Sequence, residues 1–324
     1  MLSSIDIEGF RGIKTGSLHG LTELVVVAGP NSAGKSTILD AIFLAANPDP
    51  STAIGKVLMR RVGLQNPQDW LFWRSGRDEA PHASIRISTS ETRVRQVDVL
   101  RPKQMNSQLA VSSYDPAKRG TVAANFFGNP SLRDEALPDI PDVRLVDAEG
   151  TAERTPLHAL YTRVAERGLR REAKGILTEL VPDLEDVEIL TQGDQPVVYL
   201  VYRHGAQPVA LAGDGIRHLL YQSLQLAAPA GGIVLLEEPE VHMHPAAIRQ
   251  IARAMWAAVG RGIQIILTTH SLDVIDALIA AADAKNLEKL SFFRVQLEQG
   301  VLRSHRLSGS EASLARTQIE DDLR

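Results

Sequence analysis

A glycine-rich stretch between a predicted strand and a predicted helix constrains the fold of this chain more than any other feature. Residues 29–36 read Gly-Pro-Asn-Ser-Ala-Gly-Lys-Ser and match G-x-x-x-x-G-K-[ST] at every fixed position. The preceding run, Leu24–Ala28, is apolar and rich in β-branched residues, which is typical of a strand buried on both faces. Residues 36–46 carry apolar side chains at helical spacing. This order of strand, loop and helix is the setting in which the pattern binds phosphate.

The residue types in this loop suit a phosphate ligand. Glycines let the backbone wrap closely around phosphates, so that successive N–H groups and the positive end of the helix face the anion. Lys35 would add a mobile charge for the β- and γ-phosphates, and Ser36 would supply a hydroxyl ligand to Mg²⁺. We therefore predict nucleotide contacts from the loop and the first helical turn, at Asn31, Ser32, Ala33, Gly34, Lys35, Ser36 and Thr37.

Two further units of strand followed by helix lie far downstream. Residues 233–236 form an apolar run typical of a buried strand, and Pro245 opens the helix after it. Residues 263–267 form another such run, and Ser271 is a suitable N-cap for the next helix. Strands that alternate with helices predict an α/β fold with a parallel sheet, whose ligands lie at the carboxyl ends of the strands.

Acidic and imidazole side chains follow these two strands. Glu237 and Glu238 come after 233–236, where one carboxylate can reach Mg²⁺ and the other can orient and deprotonate the attacking water. His270 comes after 263–267, where a neutral imidazole can reach a γ-phosphate or that water. Taken alone, the acidic pair would be a solvated turn and the histidine a satisfied core residue. The phosphate-binding loop upstream favours the catalytic interpretation.

Residues 47–210 follow a different pattern. Alternating apolar and polar side chains at 83–87 and 92–99 predict antiparallel strands. Pro- and Gly-containing stretches around 115–150 predict long loops, and 155–181 show two amphipathic helical stripes. The length suits one large domain with an elaborated insertion or two domains that share a core. The motif set described below favours a single split domain with a core of residues 1–50 and 205–307, an inserted β and helical region at 51–204, and a C-terminal helix at 308–324.

Composition narrows the chemistry. The 324 residues include no cysteine, which excludes disulfides, zinc–thiolate sites and thiol nucleophiles. With a formal charge of −4, any nucleic-acid contact must come from a local patch. The basic residues along 155–181 are a candidate patch, although a solvated helical face explains them as well. No segment has the apolar length of a spanning helix or the pattern of a signal peptide, so we expect a cytoplasmic protein without membrane contact.

Taken in order, four motifs resemble those of ABC-type ATPase heads, a class of P-loop NTPases. Residues 29–36 resemble the Walker A motif, 211–217 the signature motif, 233–238 the Walker B motif, and 268–271 the switch histidine. Within this class the chain is most similar to the SMC, RecF and OLD (overcoming lysogenization defect) branch, whose opening strand resembles Ile-Glu-Gly-Phe-Arg-Gly near the start of this chain. Its Glu-Glu-Pro-Glu-Val-His-Met-His-Pro run also resembles the E-E-P-E-x-x-x-H-P segment of that branch. Too few residues follow His270 for the Toprim domain of OLD nucleases, so the stand-alone OLD-like ATPases are the most similar group.

The resemblance implies an ABC-type ATPase head with an antiparallel β subdomain and an inserted helical subdomain. It implies that Glu237 stands at the Mg²⁺-associated position and that Glu238 is the catalytic carboxylate. It further implies that His270 senses the γ-phosphate, beside Lys35 of the Walker A motif. ATP and Mg²⁺ are the implied cofactors.

The resemblance also implies a homodimer or higher homo-oligomer with two composite sites. In that arrangement the turn of Gly213, Asp214 and Gly215 contacts the ATP held by the partner's Walker A motif. We expect slow hydrolysis of ATP to ADP and phosphate, with nucleotide-gated dimerisation that controls a separate effector such as a nuclease, in the setting of phage defence. A RecF-like DNA-binding maintenance ATPase and a nucleotide-sensing scaffold with little turnover are the alternatives.

Four features leave questions open at this stage. Gly213 stands where the signature motif usually has a serine, so the hydroxyl that would act across the dimer is missing. Gln65 and Gln68 are both candidates for the glutamine loop, and both can equally be ordinary loop amides. Arg11 is a further candidate for a position near the nucleotide. The aromatic group of Trp70, Phe72 and Trp73 favours a core position under the antiparallel strands over stacking on a base.

Overall fold

The structure is a computed structural model and describes residues 1–60, 63–73, 81–91, 93–101, 109–115, 121–125, 141–147, 155–227, 230–319 and 322–323. The strands, numbered in chain order, are β1 Leu2–Phe10, β2 Ile13–His19, β3 Leu24–Ala28, β4 His82–Thr89, β5 Val94–Leu100, β6 Ala110–Tyr114, β7 Thr121–Asn125, β8 Val143–Val146, β9 Leu184–Gln192, β10 Gln195–Tyr202, β11 Gly205–Pro208, β12 Ile233–Glu237, β13 Gln264–Thr269, β14 Leu290–Glu298 and β15 Val301–Ser308. The α-helices are α1 Lys35–Ala46, α2 Pro50–Met59, α3 Leu157–Glu166, α4 Arg170–Thr178, α5 Asp214–Leu226, α6 Pro245–Gly260, α7 Leu272–Ala280, α8 Ala284–Leu287 and α9 Gly309–Leu314.

Twelve of the described strands form one sheet in the order β7-β6-β5-β4-β1-β2-β15-β14-β3-β13-β12-β8. From β14 to β8 neighbouring strands run parallel, whereas from β7 to β2 they run antiparallel. The hairpin of β14 and β15 joins the two parts, although β15 and β2 share only two paired positions. The predicted α/β class with an antiparallel β subdomain is confirmed.

The parallel strands are apolar throughout because both of their faces are covered. All five residues of β3 are buried, and successive side chains point into different hydrophobic clusters. Val25 and Val27 pack into the cluster that contains Ile38 and Leu39 of α1. Leu24 and Val26 pack into the cluster that contains the apolar faces of α6 and α7. Helices therefore cover both faces of the sheet at β3. This strand, which leads into the predicted phosphate-binding loop, is buried at the centre of the molecule.

The inserted region contains more strand than the sequence pattern predicts. The two predicted helices are α3 and α4, but β9, β10 and β11 add a separate three-stranded antiparallel sheet. The prediction of long loops around 115–150 is wrong at β7 and β8, and much of that stretch lies outside the described residues. β8 pairs with β12 and so extends the parallel part of the large sheet.

Several side-chain predictions can be compared with the structure. Phe72 is buried as predicted, whereas the core position predicted for Trp70 is wrong because 51% of its surface is exposed. In the basic set on α3 and α4, Arg170 and Lys174 both pair with Asp186 of β9. At the C-terminus, α9 is followed by a π-helical turn at Ala315–Ile319. None of the helices in the described part of the chain is long and apolar enough to cross a membrane.

Candidate nucleotide site

The loop between β3 and α1 has a backbone that suits its sequence. Gly34 adopts φ +87°, a left-handed conformation that costs glycine little, and Ser32 adopts φ +66°. Gly29 lies against the Val295 carbonyl so closely that a Cβ atom would clash with it. The loop ends at the N-terminus of α1, where the first-turn N–H groups have no helical partner and carry the positive end of the helix dipole. The loop therefore presents an anion-binding cradle at the edge of the sheet.

Lys35 lies inside this cradle. Its Nζ donates to the Gly29 carbonyl at 2.8 Å and to the Pro30 carbonyl at 3.1 Å, and the residue is 6% exposed. Burial lowers the pKa of the Lys35 ammonium, and the negative charges of Glu238, Glu240 and Glu237 partly oppose that effect. The carboxylates at the end of β12 and just after it thus act on the lysine, as expected for groups at the carboxyl ends of parallel strands in one sheet.

The two adjacent carboxylates after β12 have different surroundings. Glu237 is the last residue of β12, and its Oε2 atom pairs with Arg60. Glu238 adopts φ +45°, and its N–H donates to the Thr268 carbonyl at 2.9 Å. Its Oε1 atom lies 3.1 Å from Nδ1 of His270. The chain therefore brings Glu238 and His270 together while it directs Glu237 into a separate buried cluster.

Glu240 is a site residue that the sequence argument missed. Its Oε1 atom accepts a 2.6 Å hydrogen bond from Thr269 Oγ1 and lies 3.7 Å from Nδ1 of His270. Its Oε2 atom is buried and has no hydrogen-bond partner among the described residues. Burial raises the pKa of the Glu240 carboxyl, although the Thr269 hydrogen bond works in the opposite direction. The third acid of Glu-Glu-Pro-Glu was the available signal.

A second missed residue, Arg60, is at the centre of a buried charge cluster. Its NH1 and NH2 atoms pair with Asp40 and Glu237, and its Nε atom lies 3.6 Å from Asp147 Oδ2. Arg11, which the resemblance places near the nucleotide, pairs with the same Asp40 at 2.8 Å. The sequence gives no local signal for Arg60, because its partners are far from it in the chain.

The turn of the predicted signature motif lies at the start of α5. Gly213 is the N-cap residue, and a Cβ atom there would meet nothing within 4 Å. Asp214 pairs with Arg217, which lowers the pKa of the Asp214 carboxyl. At Gly215, a Cβ atom would lie 2.9 Å from the His242 carbonyl in the loop after β12. Leu211, just before this turn, is 74% exposed.

The contacts of this turn are with the loop after β12 and within α5. Within the described chain, no hydrogen bond or ion pair joins Gly213, Asp214 or Gly215 to Lys35 or His270. The structure therefore pairs Glu238 with His270, places the charges of Glu237 and Glu238 where they act on Lys35, and leaves the signature turn at the surface. Gln65 is exposed, and Gln68 lies in a short 3-10 helix at Pro67–Trp70, so the position of a glutamine loop stays a prediction.

The residues present fit a magnesium nucleotide. Ser36 and Glu237 offer hard oxygen ligands, which Mg²⁺ prefers, and Mg²⁺ is usually held by one or two carboxylates together with substrate phosphates. A site of that kind needs no large protein cage, and the described residues contain no group of three or more His, Cys, Asp or Glu side chains arranged to hold a metal. The two histidines in the loop after β12 make contacts of their own. His242 packs edge-on against His218, and Nδ1 of His244 accepts a hydrogen bond from the Ala246 N–H at the start of α6.

Comparison with known proteins identifies relatives of this chain. Residues 24–276 match a family described as "AAA domain, putative AbiEii toxin, Type IV TA system". The protein MJECL10 of Methanocaldococcus jannaschii is 21% identical over 217 residues, which cover 62% of this chain and 95% of that protein. MJECL11 of the same organism is 29% identical over 77 residues, 24% of this chain and 68% of that protein.

Two solved structures have the same fold. A crystal structure of an Smc head bound to the C-winged helix domain of ScpA has a TM-score of 0.57 and 16% identity, and the match covers 95% of this chain and 97% of that chain. An Smc head with an extended coiled coil, bound to the C-terminal domain of ScpA from Pyrococcus furiosus, has a TM-score of 0.57 and 14% identity, with 99% of both chains covered. The predicted ABC-type ATPase head is thereby confirmed as a fold, whereas the OLD-like branch stays a prediction.

Proposed function

Because the chain belongs to the family of AAA domains described as "putative AbiEii toxin, Type IV TA system", we propose that it binds ATP with Mg²⁺ and hydrolyses it slowly to ADP and phosphate. The observation that carries this proposal is the convergence of Lys35, Glu238 and His270 at the carboxyl ends of β3, β12 and β13. The fold shared with Smc heads supports the same assignment.

Each residue has a distinct part in the proposed reaction. The N–H groups of the loop and of the first turn of α1 hold the phosphates, and the Lys35 ammonium leaves its loop carbonyls to bind the β- and γ-phosphates. Glu238 accepts a proton from the attacking water, and His270, 3.1 Å away, orients that carboxylate and approaches the γ-phosphate. Bound beside Ser36 and Glu237, Mg²⁺ would neutralise phosphate charge.

We further propose that the active unit is a dimer with two composite sites. The exposed signature turn at Gly213, Asp214 and Gly215 has no bond to its own chain's Lys35, and it lies at a helix N-terminus that can bind an anion. A second copy can supply this turn to the bound ATP. Exposed Leu211 beside the turn would lose solvent contact in such an interface.

Two substitutions test the ATPase assignment. Lys35→Ala is expected to abolish nucleotide binding, because the loop loses its one lysine. Glu238→Gln is expected to bind ATP but to lose turnover by a factor of about 10² or more, because the water loses its base. Calorimetric titration with ATP and measurement of phosphate release distinguish the two outcomes. Lys14→Ala, at an exposed lysine of β2, is the control and should match the unmodified chain.

Two results would contradict these roles. Full turnover in Glu238→Gln would overturn the catalytic assignment of that carboxylate. Unchanged ATP affinity in Lys35→Ala would contradict the assignment of the loop at 29–36 as the ATP-binding site. Accumulation of an ATP-bound dimer by Glu238→Gln, measured by light scattering, is the expected sign of nucleotide-gated association.

We propose that this nucleotide-gated dimer controls a separate effector protein, such as a nuclease, in phage defence. The proposal rests on the resemblance to stand-alone OLD-like ATPases, and the family description, which names a putative toxin of a Type IV TA system, is consistent with it. Both of the Smc heads described above are bound to a domain of another protein, ScpA. Purification from the native host with ATP and without it, followed by identification of the bound proteins, tests this step.

A further inference from the structure

A buried cluster of five charged side chains lies beside the predicted metal position. Arg60, directly after α2, has 1% of its side chain exposed. Its guanidinium faces three carboxylates: Asp40 of α1, Asp147 after β8 and Glu237 at the end of β12. Arg11 supplies the second positive charge, through its ion pair with Asp40. The cluster therefore holds two guanidinium groups against three carboxylates.

Burial at this depth gives the cluster little value as a source of stability. Removing two opposite charges from water costs several kcal/mol per ion, which their attraction rarely exceeds by much. Burial alone would lower the pKa of Arg60, yet Asp40, Glu237 and Asp147 together raise it. What the cluster does provide is orientation, because the planar fork of a guanidinium fixes its carboxylate partners in a way that a point charge does not.

The carboxylates that Arg60 binds belong to the two elements that carry the predicted metal ligands. Asp40 follows Ser36 by four residues on α1, so the two side chains lie on the same face of that helix. Glu237 is itself the predicted carboxylate ligand. One guanidinium thus spans the helix that presents the Ser36 hydroxyl and the strand that presents the Glu237 carboxylate.

We propose that Arg60 is a positioning residue that holds Glu237 in the orientation required for Mg²⁺ binding beside Ser36. The inference rests on the proposed function, since it concerns the metal of that site. Arg60 engages Oε2 of Glu237 and anchors this carboxylate to Asp40 and Asp147. Hydrogen-bond partners of metal ligands typically contribute a factor of about 10–100 in metal affinity.

Arg11 offers a matched control within the same cluster. Its NH1 atom pairs with Asp40 at 2.8 Å, and its NH2 atom donates to the Val57 carbonyl at 2.9 Å. Arg11→Met and Arg60→Met therefore both remove a cation that pairs with the buried Asp40. Only Arg60→Met removes the fork that holds Glu237.

The test measures metal binding directly. Each purified full-length variant is saturated with the slowly hydrolysed analogue in which an imido group links the β- and γ-phosphates. Mn²⁺ is then titrated in and followed by electron paramagnetic resonance. Affinity for the analogue in EDTA is measured in parallel. Arg60→Met is expected to weaken Mn²⁺ binding by about tenfold or more while the EDTA affinity stays unchanged. Arg60→Lys, which keeps the charge without the fork, should restore part of the loss.

Arg11→Met is expected to lower the melting temperature. Because Arg11 is a candidate for a position near the nucleotide, its affinity for the analogue in EDTA is measured separately, and with the analogue saturating its Mn²⁺ affinity should stay within about twofold. Equal weakening in both methionine variants would overturn the proposal, because the effect would then belong to the cluster as a whole. Unchanged Mn²⁺ affinity in Arg60→Met, or in Arg60→Lys if the methionine variant does not fold, would also overturn it. Failure of the unmodified chain to bind the analogue would instead contradict the proposed function.

Discussion

Adjacent carboxylates with separate partners are the central feature of the site at the scale of single residues. Glu237 and Glu238 are neighbours in sequence, but the positive φ of Glu238 directs the two side chains apart. One meets the Arg60 guanidinium and the other meets the His270 imidazole. A conformation that costs a non-glycine residue of the order of 1 kcal/mol persists only where the surroundings enforce it. Here it gives two like charges different environments, as the proposed roles in metal binding and proton transfer require.

Burial of Glu240 predicts a pH-dependent stability difference. Because its pKa is raised in the folded chain, its stabilising contribution is complete below the ordinary carboxyl pKa and is lost as the pH rises through the raised value. Glu240→Gln keeps the acceptor for Thr269 and removes the charge. We expect the variant to be more stable than the unmodified chain at pH 8, with the gain vanishing towards pH 4. Urea unfolding at several pH values measures this.

A matched substitution on the surface separates this effect from a general change of charge. Glu298→Gln alters a carboxylate that is more than half exposed and pairs with Arg303. It should change the stability by less than about 0.5 kcal/mol at either pH. A Glu240→Gln gain that is the same at pH 4 and pH 8 would contradict the assignment of a raised pKa to Glu240.

The sequence identifies the residues of the site that belong to local motifs. Lys35 and Ser36 lie in an eight-residue pattern, and Glu237, Glu238 and His270 each follow an apolar run that ends at the same edge of the sheet. Arg60 belongs to no pattern, because it meets Glu237 only through a contact between residues 177 positions apart. Long-range pairing of that kind depends on the packed fold, so single-sequence reasoning did not find it.

Helix α1 is fixed at both ends by different elements. Its N-terminus forms part of the phosphate cradle, and at its C-terminus the Arg95 guanidinium of β5 donates to the Ala45 carbonyl at 3.3 Å and to the Asn47 carbonyl at 2.9 Å. Burial lowers the pKa of Arg95 to about 10. A cation at this end complements the helix dipole. The antiparallel part of the sheet thus holds the helix that positions Lys35.

Arg95→Met should show how much this anchor contributes. The methionine retains most of the buried apolar volume but leaves two carbonyls without their charged donor, which costs about 1–3 kcal/mol. Arg93→Met on the same side of the molecule alters a half-exposed arginine that pairs with Glu91, and it should change stability by less than about 0.5 kcal/mol. Denaturant unfolding of both variants gives the comparison. An Arg95→Met chain as stable as the unmodified one would contradict the anchoring role.

Elements with strong apolar patterns are the ones that the sequence predicts well. β3, β12 and β13 are largely apolar runs. The apolar stripe on α1 has helical spacing, and its side chains are buried in the structure. β8 has only four residues, one of them arginine, in a region rich in turn residues, so its pairing with β12 was not predicted. Trp70 shows that residue type alone does not predict burial. It is an aromatic residue two positions before the buried Phe72, and its own side chain is exposed.

At the scale of the whole molecule, the large sheet separates two hydrophobic clusters. The candidate nucleotide site lies at the carboxyl ends of its parallel strands. The signature turn lies on α5, which packs with α4 and α6 on the second cluster. In the proposed ATP sandwich, the signature turn of one copy would complete the site around Lys35 of the other. Two copies arranged head to tail can form such a site, and a composite site of this kind makes turnover depend on protein concentration.

Gly213→Ser tests that arrangement by restoring the hydroxyl usual in the signature motif. The structure accommodates it, because a Cβ atom meets nothing within 4 Å and serine is a favoured N-cap. A hydrogen bond to a charged phosphate contributes about 1.5–3 kcal/mol, so turnover should rise by about tenfold or more, and only at concentrations at which the dimer forms.

Gly215→Ala, whose Cβ atom would lie 2.9 Å from the His242 carbonyl, should instead reduce turnover while ATP affinity stays unchanged. Phosphate release measured across a dilution series distinguishes these outcomes. Equal rates per chain at every concentration, in Gly213→Ser and in the unmodified protein, would contradict a composite site.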